Sequence, residues 1–276
     1  MNKIDLHIHT NISDGLLSPE KVAFTAKKNG CDVIAITDHE RVNDYRALEE
    51  KYNIRIIPGI EFNTSETNLH ILGYAIEDIV AMTDRMKSLM LQNEIVCFEV
   101  IKRMQQDGFD ISKEKIEEYL RQIGINFDIM DKRKIVKYLI HKGYSNSIIE
   151  TYNKLIGKGQ KYYVPNKKIS PQDIIKLITS CGGISVLAHP KTLGLDDENL
   201  YIAIKRLKEY GLTGIEVING KIDNNMFEKY KKIAMQLDLL ETVGSDFHEE
   251  KIDSIGIEVD EKMYTGLVKK LIRTKN

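Results

Sequence analysis

The sequence lacks most of the features that mark disulfide-rich, membrane-spanning or secreted proteins. It has only three cysteines, Cys31, Cys97 and Cys181, which lie far apart and form no Cys-x-x-Cys pair. This excludes a disulfide framework and favours a reducing compartment. No apolar run approaches the roughly 18 residues of a membrane span, and the N-terminus has the pattern of a strand rather than of a signal peptide. We therefore expect a cytoplasmic protein with no membrane partner.

An excess of charge of one sign is also missing. The 40 lysines and arginines nearly cancel the 41 aspartates and glutamates, which leaves a formal net charge of -1. This balance gives no argument for long nucleic acid as a partner. No tandem repeat or low-complexity segment is present, and 276 residues suffice for one α/β barrel or for a barrel-sized domain with an insertion.

What the sequence does contain is an alternation of short apolar strands and helices at both ends of the chain. Ser18-Pro19 opens a helix that ends near Gly30, and Ser170-Pro171 opens a similar one. Further helices are predicted over 43–52, 199–210 and 226–237. The strands after the first are DVIAIT, RIIPGIEF, NLHILGYA, ISVLAHP, GIEVI and LLETVGSDFH. Seven strands with intervening helices predict an α/β fold built as a parallel barrel or a strongly curved sheet.

The alternation disappears in the middle of the chain. Residues 79–169 are rich in charged helix formers with apolar side chains at helical spacing, for example Ile95, Phe98 and Ile101. We interpret this segment as an all-helical insertion between the fourth and fifth strands. The predicted domains are a barrel of residues 1–78 and 170–276 and an insertion of residues 79–169.

Histidines and carboxylates collect where the predicted strands end. Six of the seven histidines lie at such positions, and only His141 falls inside a helical stretch. The residues concerned are His7, His9, Asp14, Asp38, His39, Glu61, His70, His189, Asp246 and His248. In a parallel barrel the C-terminal ends of the strands converge on one rim. Imidazole with carboxylate suits zinc, manganese or iron, and two or three such cations suit the hydrolysis of an anionic ester. The alternative for any one of these histidines, taken alone, is a buried core residue whose hydrogen bonds are satisfied.

Six motifs, in order and in spacing, resemble those of the polymerase and histidinol phosphatase (PHP) family of metal-dependent phosphoesterases. They are DLHIHT with Asp14, ITDHE, GIEF, the histidine of NLHILGY, AHP and GSDFH. The resemblance covers residues 1 to about 78 and 170 to 250. It implies a distorted (β/α)7 barrel with a trinuclear metal site on its C-terminal rim.

The resemblance also implies the metal ligands. The first metal is held by His7, His9, Glu61 and Asp246. The second shares Glu61 and adds His70 and His189. The third is held by Asp14, His39 and His248. Asp38 is expected to orient His39 or another ligand, with a capping function as the alternative. The implied cofactors are three divalent ions, manganese, iron or zinc, and in the implied mechanism a metal-bridging hydroxide attacks phosphorus.

The insertion resembles that of one branch of the family. The stretch DKRKIVKYLIHKGY followed by GKGQKYYVP is similar to its counterpart in nucleoside 3',5'-bisphosphate phosphatases and 5'-to-3' exoribonucleases. Arg133 and Lys134 are then expected to bind a second phosphate. Lys191 after AHP and Arg41 after TDHE are alternative phosphate contacts nearer the metal rim. For each of these four residues, an ordinary exposed surface position is the alternative.

We therefore expect a metal-dependent phosphoesterase that hydrolyses a phosphomonoester of a small nucleotide, such as a 3',5'-nucleoside bisphosphate, or a short oligonucleotide. The alternatives are a histidinol-phosphate-type phosphatase and a non-catalytic metal-binding accessory module. A barrel amidohydrolase is disfavoured because no lysine lies at a strand end to bridge metals. Tyr162, Tyr163 and Phe127 are candidates for stacking on a base, with core packing as the alternative. The expected assembly is a monomer or a small homo-oligomer.

Overall fold

The computed structural model describes residues 2–125, 128–220, 223–249 and 254–272. The strands are β1 (Asn2–Ile8), β2 (Val33–Ile36), β3 (Arg55–Asn63), β4 (His70–Tyr74), β5 (Ile184–Leu187), β6 (Gly214–Asn219), β7 (Leu240–Gly244) and β8 (Ile257–Val259). The α-helices are α1 (Pro19–Lys28), α2 (Arg46–Tyr52), α3 (Ile79–Gln106), α4 (Lys113–Gln122), α5 (Lys132–His141), α6 (Ile148–Thr151), α7 (Pro171–Ser180), α8 (Asp197–Glu209), α9 (Asn224–Gln236) and α10 (Glu261–Leu271).

All eight strands form one curved sheet in the order β7-β6-β5-β4-β3-β2-β1-β8. The strands β1, β2 and β3 run parallel, as do β5, β6 and β7. The segment that follows β7 reaches β1, where His9 N donates to Phe247 O at 2.9 Å and Phe247 N donates to His7 O at 3.3 Å. The sheet is therefore a nearly closed barrel, and the predicted α/β barrel is confirmed.

The direction of β4 differs from that of a wholly parallel barrel. This strand pairs antiparallel with both β3 and β5. Residues 64–69 alone join β3 to β4, which is too short a connection for the crossover that parallel neighbours need. Consequently His70 begins β4 rather than ending it, and it pairs with Asn63 at the end of β3. The reversed strand thus brings its first residue to the rim where the parallel strands end.

An eighth strand was not predicted from the sequence. The strand β8 pairs antiparallel with β1, with Asn2 opposite Val259 and Ile4 opposite Ile257. It spans only three residues, too few for an alternating pattern to be recognised.

The chain divides into two compact units, one of residues 1–84 and 169–276 and the other of residues 85–168. The described part of the second unit contains helices and turns and no strand, so the predicted all-helical insertion between β4 and β5 is confirmed. A π-helix follows α6 over Tyr152–Ile156. This unit has an apolar core of its own, which includes Cys97, Val100, Met104, Ile116, Leu120, Ile135, Leu139 and Tyr162.

The helices begin where side-chain caps and proline predict. Ser18 Oγ accepts from Lys21 N at 3.3 Å before α1, and Ser170 Oγ accepts from Asp173 N at 3.1 Å before α7. In both cases proline occupies the first turn, where the missing N–H costs nothing. Across the described ranges, none of the helices is both long enough and apolar enough to cross a membrane.

Candidate metal centre

Loops and strand ends at one rim of the barrel carry nine clustered donor side chains. His7 lies near the end of β1 and His9 just beyond it, so that alternation along the strand turns both rings to the same side. The other seven are Asp14 in the loop before α1, His39 after β2, Glu61 in β3, His70 at the start of β4, His189 after β5, and Asp246 and His248 after β7. They form three groups whose candidate ligand atoms lie within 4.8 Å of one another.

The first group consists of His7, His9, Glu61 and Asp246. The two Nε2 atoms of His7 and His9 lie 3.2 Å apart. Glu61 Oε2 lies 3.4 Å from the first of these nitrogens and 3.1 Å from the second. Asp246 Oδ1 lies 3.3 Å from each. Four donors thus face a common point, the number that a tetrahedral site requires.

The second group shares Glu61 with the first. Glu61 Oε1 lies 2.9 Å from His70 Nδ1 and 2.9 Å from His189 Nε2. The two oxygens of this one carboxylate therefore face different groups. Since the carboxylate is 1% exposed, its negative charge must be balanced by these neighbours. The arrangement gives Glu61 the geometry of a bridging ligand.

The third group consists of Asp14, His39 and His248, with His9 beside them. Asp14 Oδ2 lies 3.6 Å from His39 Nε2, and Asp14 Oδ1 lies 3.6 Å from His248 Nε2. The second ring nitrogen of His9, Nδ1, lies 3.5 Å from Asp14 Oδ1. His9 therefore faces two groups at once, which the sequence does not reveal.

Mutual charge stabilisation dominates the electrostatics of the centre. Burial opposes protonation of His7, but the carboxylates of Glu216, Asp246 and Glu61 hold its pKa well above the usual value. Against the same effect of burial, hydrogen bonds to Asp246 and Glu61 raise the pKa of His9 to about 10. Burial alone would raise the pKa of Glu61, but the surrounding histidines hold it well below its usual range. The lowered pKa of Glu61 favours its ionised form, whose charge protons on the histidines or bound cations can balance.

The donor set fits divalent cations. His9 Nδ1 is buried and makes no hydrogen bond to any of the residues that the structure describes. Such a buried polar atom is costly unless something else satisfies it. Imidazole nitrogens and carboxylate oxygens, converging in groups of three or four, are the ligands that zinc, manganese and iron take.

Three residues at the rim have left-handed backbone conformations that non-glycine residues seldom adopt. They are Glu40 with φ 53°, His189 with φ 27° and Asp246 with φ 56°. Each such conformation costs about 1–3 kcal/mol, and strain of this kind collects at functional sites. Each of the three is a candidate ligand or directly follows one, so the strain lies where donor side chains must be aimed.

Asp38 stabilises the loop between His9 and Asp14. One carboxylate oxygen accepts from Thr10 N at 2.7 Å and from Ser13 Oγ at 2.6 Å. The other accepts from Thr10 Oγ1 at 2.7 Å. Asp38 therefore fixes the conformation of the loop that joins His9 to Asp14.

Two further buried carboxylates escaped the sequence analysis. Asp5 accepts from the backbone N–H of Ser245 at 2.9 Å and of Gly256 at 2.8 Å, and burial raises its pKa to about 6. Glu216 in β6 contacts His7 Nδ1 at 3.1 Å. Both interrupt otherwise apolar strand runs, IDLHI and GIEVI, and an acidic residue inside such a run is the signal that would have found them.

The four predicted phosphate contacts lie in different settings. Lys191 is exposed in the 3₁₀ turn that follows His189, and Arg41 is half-buried two residues after His39. Arg133 is the second residue of α5, and its Nη2 lies 3.8 Å from Asp131 Oδ2. Lys134 is 1% exposed, and its ammonium donates to Ile129 O at 2.5 Å and to Asp128 Oδ1 at 3.3 Å. Because that ammonium is used inside the insertion, we do not retain Lys134 as a substrate contact.

The three residues predicted to stack on a base also differ in their surroundings. Tyr162 is 6% exposed and packs in the core of the insertion, where its ring meets Phe109 edge-on at 5.4 Å. This is the core-packing alternative. The Tyr163 ring lies 5.4 Å from Lys132 Nζ. Phe127 lies outside the described residues.

The comparisons with known proteins agree with this fold. The family described as PHP domain matches residues 5–181. A 5'-3' exoribonuclease of Haemophilus influenzae is 25% identical over 89% of this chain and 90% of its own length. A 3',5'-nucleoside bisphosphate phosphatase of Chromobacterium violaceum is 25% identical over 90% of this chain and 88% of its own. A solved structure from Bifidobacterium adolescentis, described as a metal-dependent phosphoesterase, aligns with a TM-score of 0.78 and 22% identity over 96% of this chain and 95% of that one.

Because the family match covers more than half of the chain, the chain belongs to the PHP domain family, and with it to the metal-dependent phosphoesterases. The predicted family and enzyme class are confirmed.

Proposed function

We propose that this protein hydrolyses a phosphomonoester of a small nucleotide, such as a 3',5'-nucleoside bisphosphate, or a phosphoester at the end of a short oligonucleotide. The reaction would use three divalent cations, manganese, iron or zinc. The observation that carries the proposal is the set of three donor groups joined through Glu61 and His9. A centre of this kind suits a substrate with several anionic oxygens held close together.

The proposed ligand sets follow the three groups. His7, His9, Glu61 and Asp246 would hold the first cation. Glu61, His70 and His189 would hold the second. Asp14, His39 and His248 would hold the third. Such cations lower the pKa of water and neutralise phosphate oxygens.

Relatives and basic residues support a nucleotide as the substrate. The similar proteins from Haemophilus influenzae and Chromobacterium violaceum are named as a 5'-3' exoribonuclease and a 3',5'-nucleoside bisphosphate phosphatase, respectively. Arg41 and Lys191 follow candidate ligands closely in the chain, so we propose them as contacts for the reacting phosphate. Arg133 remains a proposed contact for a second phosphate. The cysteines are free and buried, which supports a reducing, cytoplasmic setting.

A substrate panel tests the proposal. Phosphate and nucleoside release are measured with added manganese from adenosine 3',5'-bisphosphate, a 5'-phosphorylated trinucleotide RNA, AMP and histidinol phosphate. We expect release from the bisphosphate or the RNA, abolished by EDTA. Release from histidinol phosphate alone would contradict the nucleotide assignment, and metal binding without turnover of any substrate would favour an accessory module.

Two histidine variants provide the control. His70→Ala removes a donor of the second group. Losing a hydrogen-bond partner of a ligand typically costs about 10–100-fold, so losing a ligand itself is expected to lower the rate about 100-fold or more. His141→Ala removes a histidine of α5 that stacks on Tyr119 at 4.1 Å and belongs to none of the three groups. We expect it to retain full activity. Equal activity of the two variants would contradict the proposed ligand sets.

A further inference from the structure

Glu216 is a carboxylate buried inside the barrel that does not belong to any of the three donor groups. It lies in the middle of β6, and its exposed fraction is 0%. Both oxygens of a carboxyl group in this position require hydrogen-bond partners. Its partners connect it to two of the proposed ligand sets.

One oxygen of Glu216 faces His7. Glu216 Oε1 lies 3.1 Å from His7 Nδ1, and since a carboxylate only accepts, Nδ1 carries the proton of this hydrogen bond. The opposite nitrogen of the ring, Nε2, is the atom that faces His9, Glu61 and Asp246. The contact therefore fixes both the orientation of His7 and the tautomer that leaves Nε2 available as a ligand.

The other oxygen of Glu216 stabilises the turn that carries His189. Glu216 Oε2 accepts from the backbone N–H of His189 at 2.7 Å and from Asn219 Nδ2 at 3.0 Å. The backbone of His189 has φ 27° and ψ 67°, a conformation that needs outside support. With this turn in place, His189 Nε2 lies 2.9 Å from Glu61 Oε1.

The neighbouring strand leaves room for this pair of side chains. A Cβ atom at Gly244 of β7 would lie 2.2 Å from His7 Cβ and 2.7 Å from Glu216 Oε1. Any side chain there would displace one of the two. Because Gly244 has no side chain, the space beside β7 remains open for the contact between Glu216 and His7.

We infer that Glu216 is a positioning residue that couples the first and second cation sites, through the His7 ring in one and the His189 backbone in the other. The inference rests on the proposed function, since it assumes that the two groups hold cations. Glu216 does not touch the substrate. It acts by presenting two ligands, one from β1 and one from the turn after β5, at the same time.

Glu216→Gln tests this role with little change of shape. If the amide oxygen accepts from His189 N, the NH₂ group faces His7 Nδ1 and favours the tautomer whose Nε2 carries the proton. If the amide is turned round, its NH₂ group opposes the His189 N–H instead. Either orientation loses one of the two contacts, so we expect manganese affinity to fall about 10–100-fold, measured by competition with a chromogenic chelator.

The matched control is Glu241→Gln in β7. Glu241 is half-buried on the strand paired with β6 and lies opposite Ile215, one residue from Glu216. We expect this variant to bind manganese as the wild type does. Kinetics separate positioning from a general structural defect, because activity of Glu216→Gln is expected to return at high manganese with an unchanged KM for the nucleotide. Wild-type affinity in Glu216→Gln, or a loss that saturating manganese does not restore, would overturn the inference.

A milder variant covers the case in which Glu216→Gln does not fold. Asn219→Ala removes one donor from Glu216 Oε2 and leaves the carboxylate in place, so a several-fold loss of manganese affinity is expected. Unchanged affinity would count against the inference. Wild-type protein that binds no cation would overturn the proposed function as well, whereas wild-type protein with three cations and insensitive variants would overturn only the part assigned to Glu216.

Discussion

At the scale of single residues, the centre depends on side chains that serve two neighbours at once. Glu61 presents one oxygen to His9 at 3.1 Å and the other to His70 at 2.9 Å. Glu216 does the same for His7 and the backbone of His189. Because each carboxylate is buried, replacing it disturbs two contacts and leaves their partners uncompensated.

Gly244 is the residue where this crowding is most severe. In Gly244→Ala the new Cβ would lie 2.2 Å from His7 Cβ, so the pair must move apart. We expect a loss of about 1–3 kcal/mol in the free energy of unfolding, measured in urea, together with weaker manganese binding.

Gly266 supplies the matched control for that substitution. It lies exposed in α10, and a Cβ there would meet nothing within 4 Å. Gly266→Ala is expected to stabilise the protein by about 0.5–1 kcal/mol, because alanine is favoured over glycine inside a helix. A Gly244→Ala protein as stable and as metal-competent as the wild type would contradict the account of this contact.

The buried thiols give a prediction about pH. Burial raises the pKa of Cys31 to about 12 and, in the insertion, that of Cys97 to about 12. At pH 8 only about one such thiol in 10,000 is ionised, and the thiolate is the reactive form. Because both pKa values are raised, the reactivity of the two thiols increases only as the pH approaches 12. We expect iodoacetamide to label both cysteines rapidly in urea and very slowly in the native protein, as read by mass spectrometry. Fast native labelling at pH 8 would contradict their burial.

At the scale of elements, helix caps are where the sequence is most informative. Ser18 and Ser170, each followed by proline, predict the starts of α1 and α7, and the structure has both. The antiparallel direction of β4 escaped prediction because an apolar run has the same pattern in either direction. The contacts of Glu216 could not be predicted for a different reason, since its partners His7 and His189 are distant in the chain and only the folded barrel brings them together.

Asp131 at the start of α5 combines a cap with an ion pair. Its Oδ1 accepts from Lys134 N at 3.1 Å, and its Oδ2 lies 3.5 Å from the buried Lys134 ammonium. Asp131→Ala removes both interactions and the longer ion pair with Arg133, so we expect a loss of about 2–4 kcal/mol on urea unfolding.

Ser112 is the comparison, because it caps α4 in the same unit without a buried ion pair. Its Oγ accepts from Lys115 N at 3.3 Å and donates to the exposed Glu114 at 2.7 Å. Ser112→Ala is expected to cost about 1 kcal/mol. If the two alanine variants were equally stable, the buried lysine would not depend on Asp131.

At the scale of the whole molecule, the near balance of charge conceals a strong local concentration of ionisable groups. The chain has a formal net charge of -1, yet nine donor side chains gather at one rim of the barrel. The ordered motifs predicted which residues these are, because strand ends of a barrel converge whatever the details of the packing. They did not predict that His9 faces two groups, which depends on side-chain orientation.

Metal binding at this rim should stabilise the barrel. A cation at 100 times its Kd adds about 2.7 kcal/mol for one site. For a domain of this size, that corresponds to a rise of about 5–10 °C in Tm. We expect manganese to produce such a shift in wild type and His141→Ala, and a smaller one in His70→Ala, by differential scanning fluorimetry. The absence of a shift in the wild type would contradict cation binding by the folded protein.

The most direct test of the central claim is to measure metal content and bisphosphate hydrolysis on the same samples. Protein loaded with manganese is stripped stepwise by a chelator, the metal is counted by mass spectrometry, and phosphate release from adenosine 3',5'-bisphosphate is assayed at each step. We expect three cations per chain at the start, and activity that declines as they are removed and returns when manganese is restored. Full activity in metal-free protein, or loaded protein that holds no cation, would contradict it.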